Sequence, residues 1–292
     1  MCHRRYGVAV IDTATVDALY RFPVKSMQGE TVDRIEVGER GVVGDRTFSL
    51  VDVETAQIAS CHHPDKWGQL LHCRASWEKD RVVISLPDDG TVTTDRDGEQ
   101  RLSQLCGREV RFVREAPEGA TYELVMADVP EHWPAPFVER SLGITGPAAG
   151  RVAKLGVAVA APPGSLVDVS PVHLVATSSL AALAAGGGDT DVRRFRANVV
   201  VDTGTAAEFV EADWNARQIT VGGATLTVVM PTMRCLVPTL AQRGLERHRD
   251  TLVALTRDNR VEFGPGRWAS LGSYASVSTP GVVEVGDPVR VL

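Results

Sequence analysis

The 292-residue chain is predicted to be mainly β with a few helices, and to fold as a β-barrel protein. Two patterns lead to this fold class. Short runs rich in β-branched residues alternate polar and apolar positions, as strands with one buried face do. Gly, Asp and Pro separate these runs at close intervals, which is typical of barrels built from hairpins. Patterns of the helical kind are few.

The predicted strands are spread along the whole chain. They lie at residues 31–38, 47–53, 80–94, 108–115, 197–202, 217–230 and 282–292. Two of these segments contain turn residues, the sequence PDDG at 87–90 and the pair Gly222-Gly223. Such residues readily adopt the backbone conformations of tight hairpins, so each segment is expected to fold back on itself.

Three helical segments are predicted. The first covers 171–185, with Ser170 as its N-cap and Pro171 at the first helical position, and the glycines that follow would end it. The second covers 245–260, and a short one covers 102–106.

The segment 115–156 is rich in Pro, Gly and Ala, a composition typical of a connector. We place a domain boundary inside it, near residue 150. This predicts an N-terminal β-rich domain at 1–150 and a C-terminal domain at 151–292.

Composition excludes several classes of function. A formal net charge of −6 and the lack of a basic tract argue against a nucleic-acid partner. No apolar run is long enough to span a bilayer, and the start of the chain does not resemble a signal peptide. The five cysteines are scattered and form no CxxC pair, which argues against a disulfide framework or a structural zinc site. We therefore expect a cytoplasmic protein with no membrane partner.

Common catalytic motifs are also absent. The sequence contains no phosphate loop, no GxGxxG after a strand, no HExxH and no GxSxG. Nucleotide-dependent chemistry and serine hydrolysis lose most of their support on this ground.

Cationic side chains recur beside turns and apolar strands. Lys25 and Ser26 lie in the turn RFPVKSMQGE, and Arg46 follows a glycine-rich turn. Arg196 and Asn198 run directly into an apolar strand, where an arginine is costly unless it meets an anion. An anionic ligand would explain this pattern. Solvated turns and local ion pairs are the alternative for the first two segments.

Asp168 and Ser170 stand at the start of the first predicted helix. A helix N-terminus attracts anions through its free N–H groups and its dipole. Simple capping would explain the serine but not the aspartate.

Two further features are less specific. The cluster Cys61-His62-His63 has no second ligand pair at zinc spacing, so we interpret it as a surface loop. Tyr274 fits either a core or the wall of a pocket.

The stretch VVMPTMRCLVPT places Cys235 directly after Arg234. A neighbouring cation favours the thiolate, the form of cysteine that attacks electrophiles and binds metals. A lone cysteine is more often a small buried apolar residue, so the stretch alone favours that interpretation.

Six short motifs follow one another along the chain. In order, they are FPVKS, GDR before a strand, DVSPVHL, RRFRANVVVD, MRCLVPT and GVVEVGDPVRVL. Together they resemble the MOSC family with its N-terminal β-barrel domain, including the mitochondrial amidoxime-reducing component and its bacterial counterparts. The resemblance runs from about Leu19 to the end of the chain.

The resemblance implies an enzyme, a molybdenum-dependent oxidoreductase that reduces the N–O bond of N-hydroxylated or N-oxidised small molecules. Its cofactor would be the molybdenum cofactor, molybdenum bound to a pyranopterin (molybdopterin). Cys235 would ligate the metal and Asp168 would relay protons near it. The remaining matched positions would bind the cofactor, and they are Lys25, Ser26, Arg46, Ser170, Arg196, Asn198, Arg234 and Tyr274.

Two positions depart from the amidoxime-reducing pattern. Ala241 stands where an aspartate is usual, and Cys61 replaces a usual basic residue. These changes put the substrate in question more than the cofactor. No cluster of iron–sulfur cysteines follows the last motif, so we expect an external flavin or iron–sulfur protein as electron donor.

Two alternatives stay open. Other MOSC domains are linked to sulfur delivery, where Cys235 would carry a persulfide, with no need for a metal or for pyridoxal phosphate. The protein could also be a non-catalytic carrier of the molybdenum cofactor.

Overall fold

The computed structural model describes residues 14–126, 151–204, 208–263 and 266–292. Its centre is a closed barrel of seven strands in the order β12-β13-β1-β19-β14-β15-β17, closed by the pairing of β17 with β12. The barrel strands are β1 (Ala14–Arg21), β12 (Val172–Ala176), β13 (Val199–Asp202), β14 (Gln218–Val221), β15 (Ala224–Met233), β17 (Gly266–Thr279) and β19 (Pro288–Val291). The predicted mainly β class is confirmed.

Smaller sheets and short helices surround the barrel. The other described strands are β2 (Glu30–Val32), β3 (Arg34–Gly38), β4 (Gly41–Val42), β5 (Ser49–Asp52), β6 (Arg74–Glu78), β7 (Arg81–Ser85), β8 (Thr91–Thr93), β9 (Val110–Val113), β10 (Thr121–Met126), β11 (Arg151–Gly156), β16 (Arg260–Phe263) and β18 (Gly281–Glu284). The described α-helices are α1 (Pro64–Trp67), α2 (Arg96–Cys106), α3 (Thr177–Ala185) and α4 (Asp250–Asp258). The 3-10 helices are η1 (Gly68–His72), η2 (Val192–Arg194), η3 (Val210–Trp214) and η4 (Val237–Thr239).

The two largest hydrophobic clusters of the described residues form the main cores. The first fills the barrel with inward-facing side chains such as Leu19, Leu174 and Ile219, with Trp214 packed among them. The second lies between β5–β9 and the helices α1 and α2. Cys235 and η4, which follow barrel strand β15, pack against this second core. The cysteine therefore lies between the end of barrel strand β15 and the second core.

Most of the predicted strands and both hairpins are confirmed. The turn at 87–90 joins β7 to β8, and Gly222-Gly223 joins β14 to β15. Asp89 and Gly222 adopt positive φ angles of 61° and 52°, the conformations that tight turns require.

The predicted helix at 171–185 is wrong in its first third. Residues 172–176 form β12, because they pair in parallel with β13 and antiparallel with β17 and are buried on both faces. The helix begins only at Thr177, and Ala176 stands at its N-cap position. Ser170 donates its hydroxyl hydrogen to the carbonyl of Ala275 instead, over 2.8 Å. The predicted helix N-terminus at Asp168 and Ser170 does not exist.

The other two helices differ in their ends. The helix predicted at 245–260 is shorter than expected and covers only α4. Before it, Leu245 pairs with Gln242 in a β-bridge, and after it Arg260 begins β16. The one predicted at 102–106 starts earlier, at Arg96, where Asp95 caps α2 by accepting the N–H of Gly98 over 2.9 Å.

The described residues of the predicted connector at 115–156 lie on either side of residues 127–150. Its flanks form the antiparallel pair β10–β11. The predicted domain boundary near 150 lies outside the described residues and stays a prediction. No helix in the described ranges is long and apolar enough to cross a membrane.

Candidate functional site

One pocket brings together all ten residues that the sequence assigned to a site. It lies beside the mouth of the barrel and the second core. Among the side chains that line it are Lys25, Ser26, Arg46, Asp168, Ser170, Arg196, Asn198, Arg234, Cys235 and Tyr274. We call it the central pocket. Residues far apart in the sequence thus converge on one pocket, and their roles there stay predictions.

The loop between β15 and η4 positions the cysteine. The N–H of Arg234 donates to the carbonyl of Ala269 on β17 over 2.8 Å, which fixes the start of the loop. On the other side of the loop, Pro238 restricts the backbone of η4. Between these points Cys235 accepts the N–H of Val237 at its Sγ over 3.4 Å.

The guanidinium of Arg234 is enclosed by backbone carbonyls. Its Nε donates to Leu271 O over 3.0 Å and its Nη1 to Phe195 O over 3.1 Å. Its Nη2 lies 2.7 Å from Nε2 of His173. Burial and the charge of Arg234 hold the pKa of this histidine well below its usual range, so the imidazole is neutral and accepts the hydrogen bond.

Arg46 and Arg196 form a second cationic group. Both have positive φ angles, 42° and 57°, and both guanidinium groups stack on the ring of Phe22, at 4.7 and 4.5 Å from its centroid. Arg46 is paired with Asp45, whereas Arg196 donates to the carbonyl of Met27. Burial and the neighbouring Arg46 lower the pKa of Arg196 to about 10, which leaves it charged at neutral pH.

Lys25 and Asp168 form an ion pair. The lysine side chain is 4% exposed and the aspartate side chain 30% exposed. Burial disfavours the charged carboxylate, but the charges of Lys25 and His62 outweigh it and lower the pKa of Asp168 to about 2. Burial lowers the pKa of Lys25 more than Asp168 raises it. The ion pair therefore stabilises the charged form of Asp168, whereas the charged form of Lys25 remains destabilised by burial.

The uncharged predicted residues hold the walls of the pocket. Asn198 accepts the N–H of His173 over 3.2 Å. Ser26 accepts the N–H of Cys61 over 3.1 Å. The ring of Tyr274 lies 5.3 Å from that of His173.

The structure corrects our interpretation of Cys61-His62-His63 as a surface loop. Cys61 is 4% exposed, and burial raises the pKa of its thiol to about 12. Both Cys61 and His62 line the central pocket. Ser60 Oγ lies 2.9 Å from Nδ1 of His62, which leaves Nε2 free to face the pocket. The departure at Cys61 lies inside the site, whereas Ala241 is exposed and does not line the pocket.

His62 is the functional candidate that the sequence analysis missed. Burial favours its neutral form, but the neighbouring Cys235 and Asp168 raise its pKa. In return, burial raises the pKa of the Cys235 thiol, but the charge and hydrogen bond of His62, together with the N–H of Val237 and the charge of Arg234, lower it below its ordinary value. The pair favours a thiolate beside an imidazolium. The sequence signal was a histidine next to a position already marked as unusual.

The pocket carries an excess of positive charge. Five cationic side chains line it, and the carboxylate of Asp168 lies among them; the cations are Lys25, Arg46, Arg194, Arg196 and Arg234. Arg46 and Arg194 have carboxylate partners in Asp45 and Asp189. Arg196 and Arg234 have no ion pair within the described ranges. Half-buried cations without a carboxylate partner favour an anionic ligand.

The protein side chains alone do not form a metal site. Among the described residues, no group of three or more His, Cys, Asp or Glu side chains is placed to hold a metal ion. A metal in the central pocket would need most of its ligands from a cofactor. A single thiolate suits a soft metal that already carries sulfur ligands.

The fold and the pocket define a β-barrel with a cysteine at a pocket lined by cationic side chains. The MOSC domain matches residues 163–290, and the MOSC N-terminal beta barrel domain matches residues 13–121. The chain belongs to the MOSC family.

Similar proteins include molybdenum cofactor sulfurases of insects. The chain is 26% identical over 281 residues to the one from Anopheles gambiae, across 84% of this chain and 33% of that protein. It is 35% identical over 103 residues to the one from Drosophila pseudoobscura pseudoobscura, across 34% of this chain and 12% of that protein. The chain thus spans about a third or less of the length of these relatives. The crystal structure of the YuaD protein from Bacillus subtilis aligns with a TM-score of 0.44 at 13% identity, over 96% of this chain and 95% of that one.

Proposed function

We propose that the protein binds a molybdenum pyranopterin cofactor in the central pocket, with Cys235 as a metal ligand, and reduces N-hydroxylated or N-oxidised compounds. One observation carries this proposal. The thiol of Cys235 meets an excess of buried and half-buried cations in a single pocket. A pterin phosphate would neutralise these cations, and a thiolate is the ligand that a sulfur-coordinated molybdenum accepts.

The residues of the chain have distinct roles in this proposal. Arg196 and Lys25 offer charge and N–H donors to the anionic end of the cofactor. Arg234, whose N–H groups are engaged by carbonyls, holds the cysteine loop and adds positive charge. The bound cofactor would supply the two-electron chemistry that converts R–NH–OH, two electrons and two protons into R–NH₂ and water.

Two groups near Cys235 could carry the protons. A proton carrier works best when its pKa lies near the working pH. The carboxyl of Asp168 has a pKa of about 2, so it is ionised at neutral pH. His62, an imidazole with a raised pKa, is better matched to the task. The relay role of Asp168 stays a prediction.

A sulfur-transfer function is the second candidate, and one observation favours it. A relative named as a molybdenum cofactor sulfurase is similar across 84% of this chain. In this alternative the Cys235 thiolate would carry a persulfide, and the cationic pocket would bind the acceptor of the sulfur.

Metal and pterin analysis tests the proposal. The wild-type protein is produced in a host that makes the molybdenum cofactor, beside Cys235→Ala and the control Cys106→Ala, which changes a half-buried thiol outside the central pocket. We expect near-stoichiometric molybdenum in the wild type and in Cys106→Ala, and its loss in Cys235→Ala.

Absence of molybdenum from a folded wild-type protein would refute the first proposal. A cyanide-labile sulfur on Cys235, absent from Cys235→Ala, would then support sulfur transfer. If the protein binds molybdenum but reduces no N-hydroxylated compound, the result would support a non-catalytic carrier of the cofactor.

A further inference from the structure

Helix α4 has one buried face and one charged face. Thr251, Ala254 and Leu255 face inward, and the two apolar ones belong to a small core with α3 and β17. On the opposite face Val253 and Arg257 recur at the spacing of one helix side, and Arg249 and Arg260 flank the helix at its N-cap and at the start of β16. Val253 is 61% exposed. An apolar centre with arginines around it is therefore presented to solvent.

These residues line a surface groove away from the central pocket. It is formed by Thr239, Arg247, Arg249, Leu252, Val253, Thr256, Arg257 and Arg260. We call it the arginine groove. All four of its arginines are exposed, and none of its lining residues is acidic.

The charge of the groove is largely uncompensated. Arg247 and Arg249 make no ion pair or side-chain hydrogen bond within the part of the chain that the structure describes. Arg257 is paired with Asp258 over 2.5 Å. Asp250 and Glu246 are the acidic neighbours at its edge. On a chain with a formal net charge of −6, this groove is a local positive surface.

The groove lies behind the cysteine of the central pocket. Val237 and Pro238 line the central pocket, and the next residue, Thr239, lines the arginine groove. The carbonyl of Thr239 accepts the N–H of His248 over 2.9 Å, which joins η4 to the arginine segment. Four residues of chain cover at most about 14 Å, so Cys235 and Thr239 are close.

We propose that the arginine groove docks an acidic one-electron carrier protein of the ferredoxin or flavodoxin class. The docking role rests on the proposed reductase function. Each turnover would oxidise two carriers by one electron each, and R–NH–OH with two protons would become R–NH₂ and water. Charge complementarity speeds the encounter of such partners, and a small, charged, transient contact is typical of electron transfer. The short span through η4 gives the electron its route toward Cys235.

A binding measurement tests the groove without any need for the cofactor. The double variant R247E/R249E reverses two exposed arginines that make no ion pair or side-chain hydrogen bond among the described residues, so we expect the fold to be retained. The control R81E/R96E makes the same charge change at two exposed arginines outside the groove. Titration calorimetry measures the Kd of each protein for an acidic [2Fe–2S] ferredoxin and for a flavodoxin, at low and at high salt.

We expect the wild type to bind one of the two carriers at low salt, and binding to weaken at high salt. The Kd should rise at least about tenfold in R247E/R249E and stay within about twofold in the control. Equal binding by wild type and R247E/R249E, or no binding of either carrier by the wild type, would overturn the proposal.

Turnover of the cofactor-loaded proteins separates the two proposals. Reduced methyl viologen is small and needs no docking surface. If R247E/R249E loses carrier-driven turnover but keeps viologen-driven turnover, the groove is the docking site. If the wild type reduces no N-hydroxylated substrate even with viologen, the reductase function fails, and the binding result still decides the groove.

Discussion

The ion pair between Lys25 and Asp168 yields a quantitative prediction. Replacing Asp168 by Asn leaves the ammonium of Lys25, which is 4% exposed, without its carboxylate. Arg46 and Arg196 disfavour that charge further. We expect the substitution to destabilise the cofactor-free protein.

The size of the loss has two limits. Breaking a buried ion pair costs about 3–5 kcal/mol, and the 30% exposure of the Asp168 side chain argues for the lower end, about 3 kcal/mol. Lys25 can also escape by releasing its proton. From an ordinary pKa of about 10.4, release costs about 4.6 kcal/mol at pH 7 and about 1.9 kcal/mol at pH 9. Proton release therefore limits the loss of unfolding free energy at pH 9 to about 1.9 kcal/mol.

The sign of the pH dependence follows from the lysine. A lysine whose pKa is lowered by folding binds fewer protons in the folded than in the unfolded state, so stability rises with pH up to the unfolded pKa. The pKa of Lys25 is already lowered in the wild type, and loss of Asp168 lowers it further. The difference in unfolding free energy between wild type and Asp168→Asn should thus shrink from pH 7 to pH 9.

Urea unfolding followed by circular dichroism at both pH values measures this difference. The control is Asp258→Asn, which breaks an exposed pair with Arg257, so the unfolding free energy should change little at either pH. The double variant Lys25→Met/Asp168→Asn should regain most of the stability, because no buried charge remains. A loss below about 1 kcal/mol at pH 7, or an equal loss at pH 9, would refute the reasoning.

Three further predictions concern the pocket and the barrel. His62→Ala removes the group that lowers the pKa of Cys235, so the pH midpoint for iodoacetamide alkylation of Cys235 in the cofactor-free protein should rise; an unchanged midpoint would contradict this. Gly272→Ala places a Cβ atom 2.6 Å from His173 Nε2 at a φ of +83°. Thermal unfolding should show that the protein loses about 2 kcal/mol of stability, and an unchanged stability would contradict this. Leu174→Ala should cost about 3 kcal/mol in urea unfolding and leave the alkylation midpoint of Cys235 unchanged.

Local turn chemistry made the hairpins predictable, and the lack of it explains the helix error. The turns at 87–90 and 222–223 depend on residues that accept positive φ angles. The run at 172–176 carries no such signal. It is buried on both faces, so it lacks the alternation that reveals a half-buried strand, and an apolar run of this length fits either structure. Residues 172–176 form a strand because they pair with β13 and β17, which are distant in sequence.

The same limit separates the residues of the pocket that were predicted from the one that was missed. The ordered motifs pointed to Cys235, Lys25 and Arg196 because each motif has a fixed residue pattern. His62 depends on its surroundings instead. It becomes a partner of Cys235 only when that cysteine packs against the second core, and its ring lies 5.4 Å from that of Tyr122 on β10. Proximity of this kind is not encoded at any local spacing.

Closure of the barrel explains why both halves of the chain are needed for the pocket. Strand β1 lies between β13 and β19, so a chain limited to residues 163–290 would leave two edges unpaired. Lys25 follows β1 by four residues and reaches Asp168, 143 positions away, only because β1 occupies that place. The strand that completes the barrel therefore also delivers the cation of the site. The central pocket therefore depends on the same strand pairing that closes the barrel.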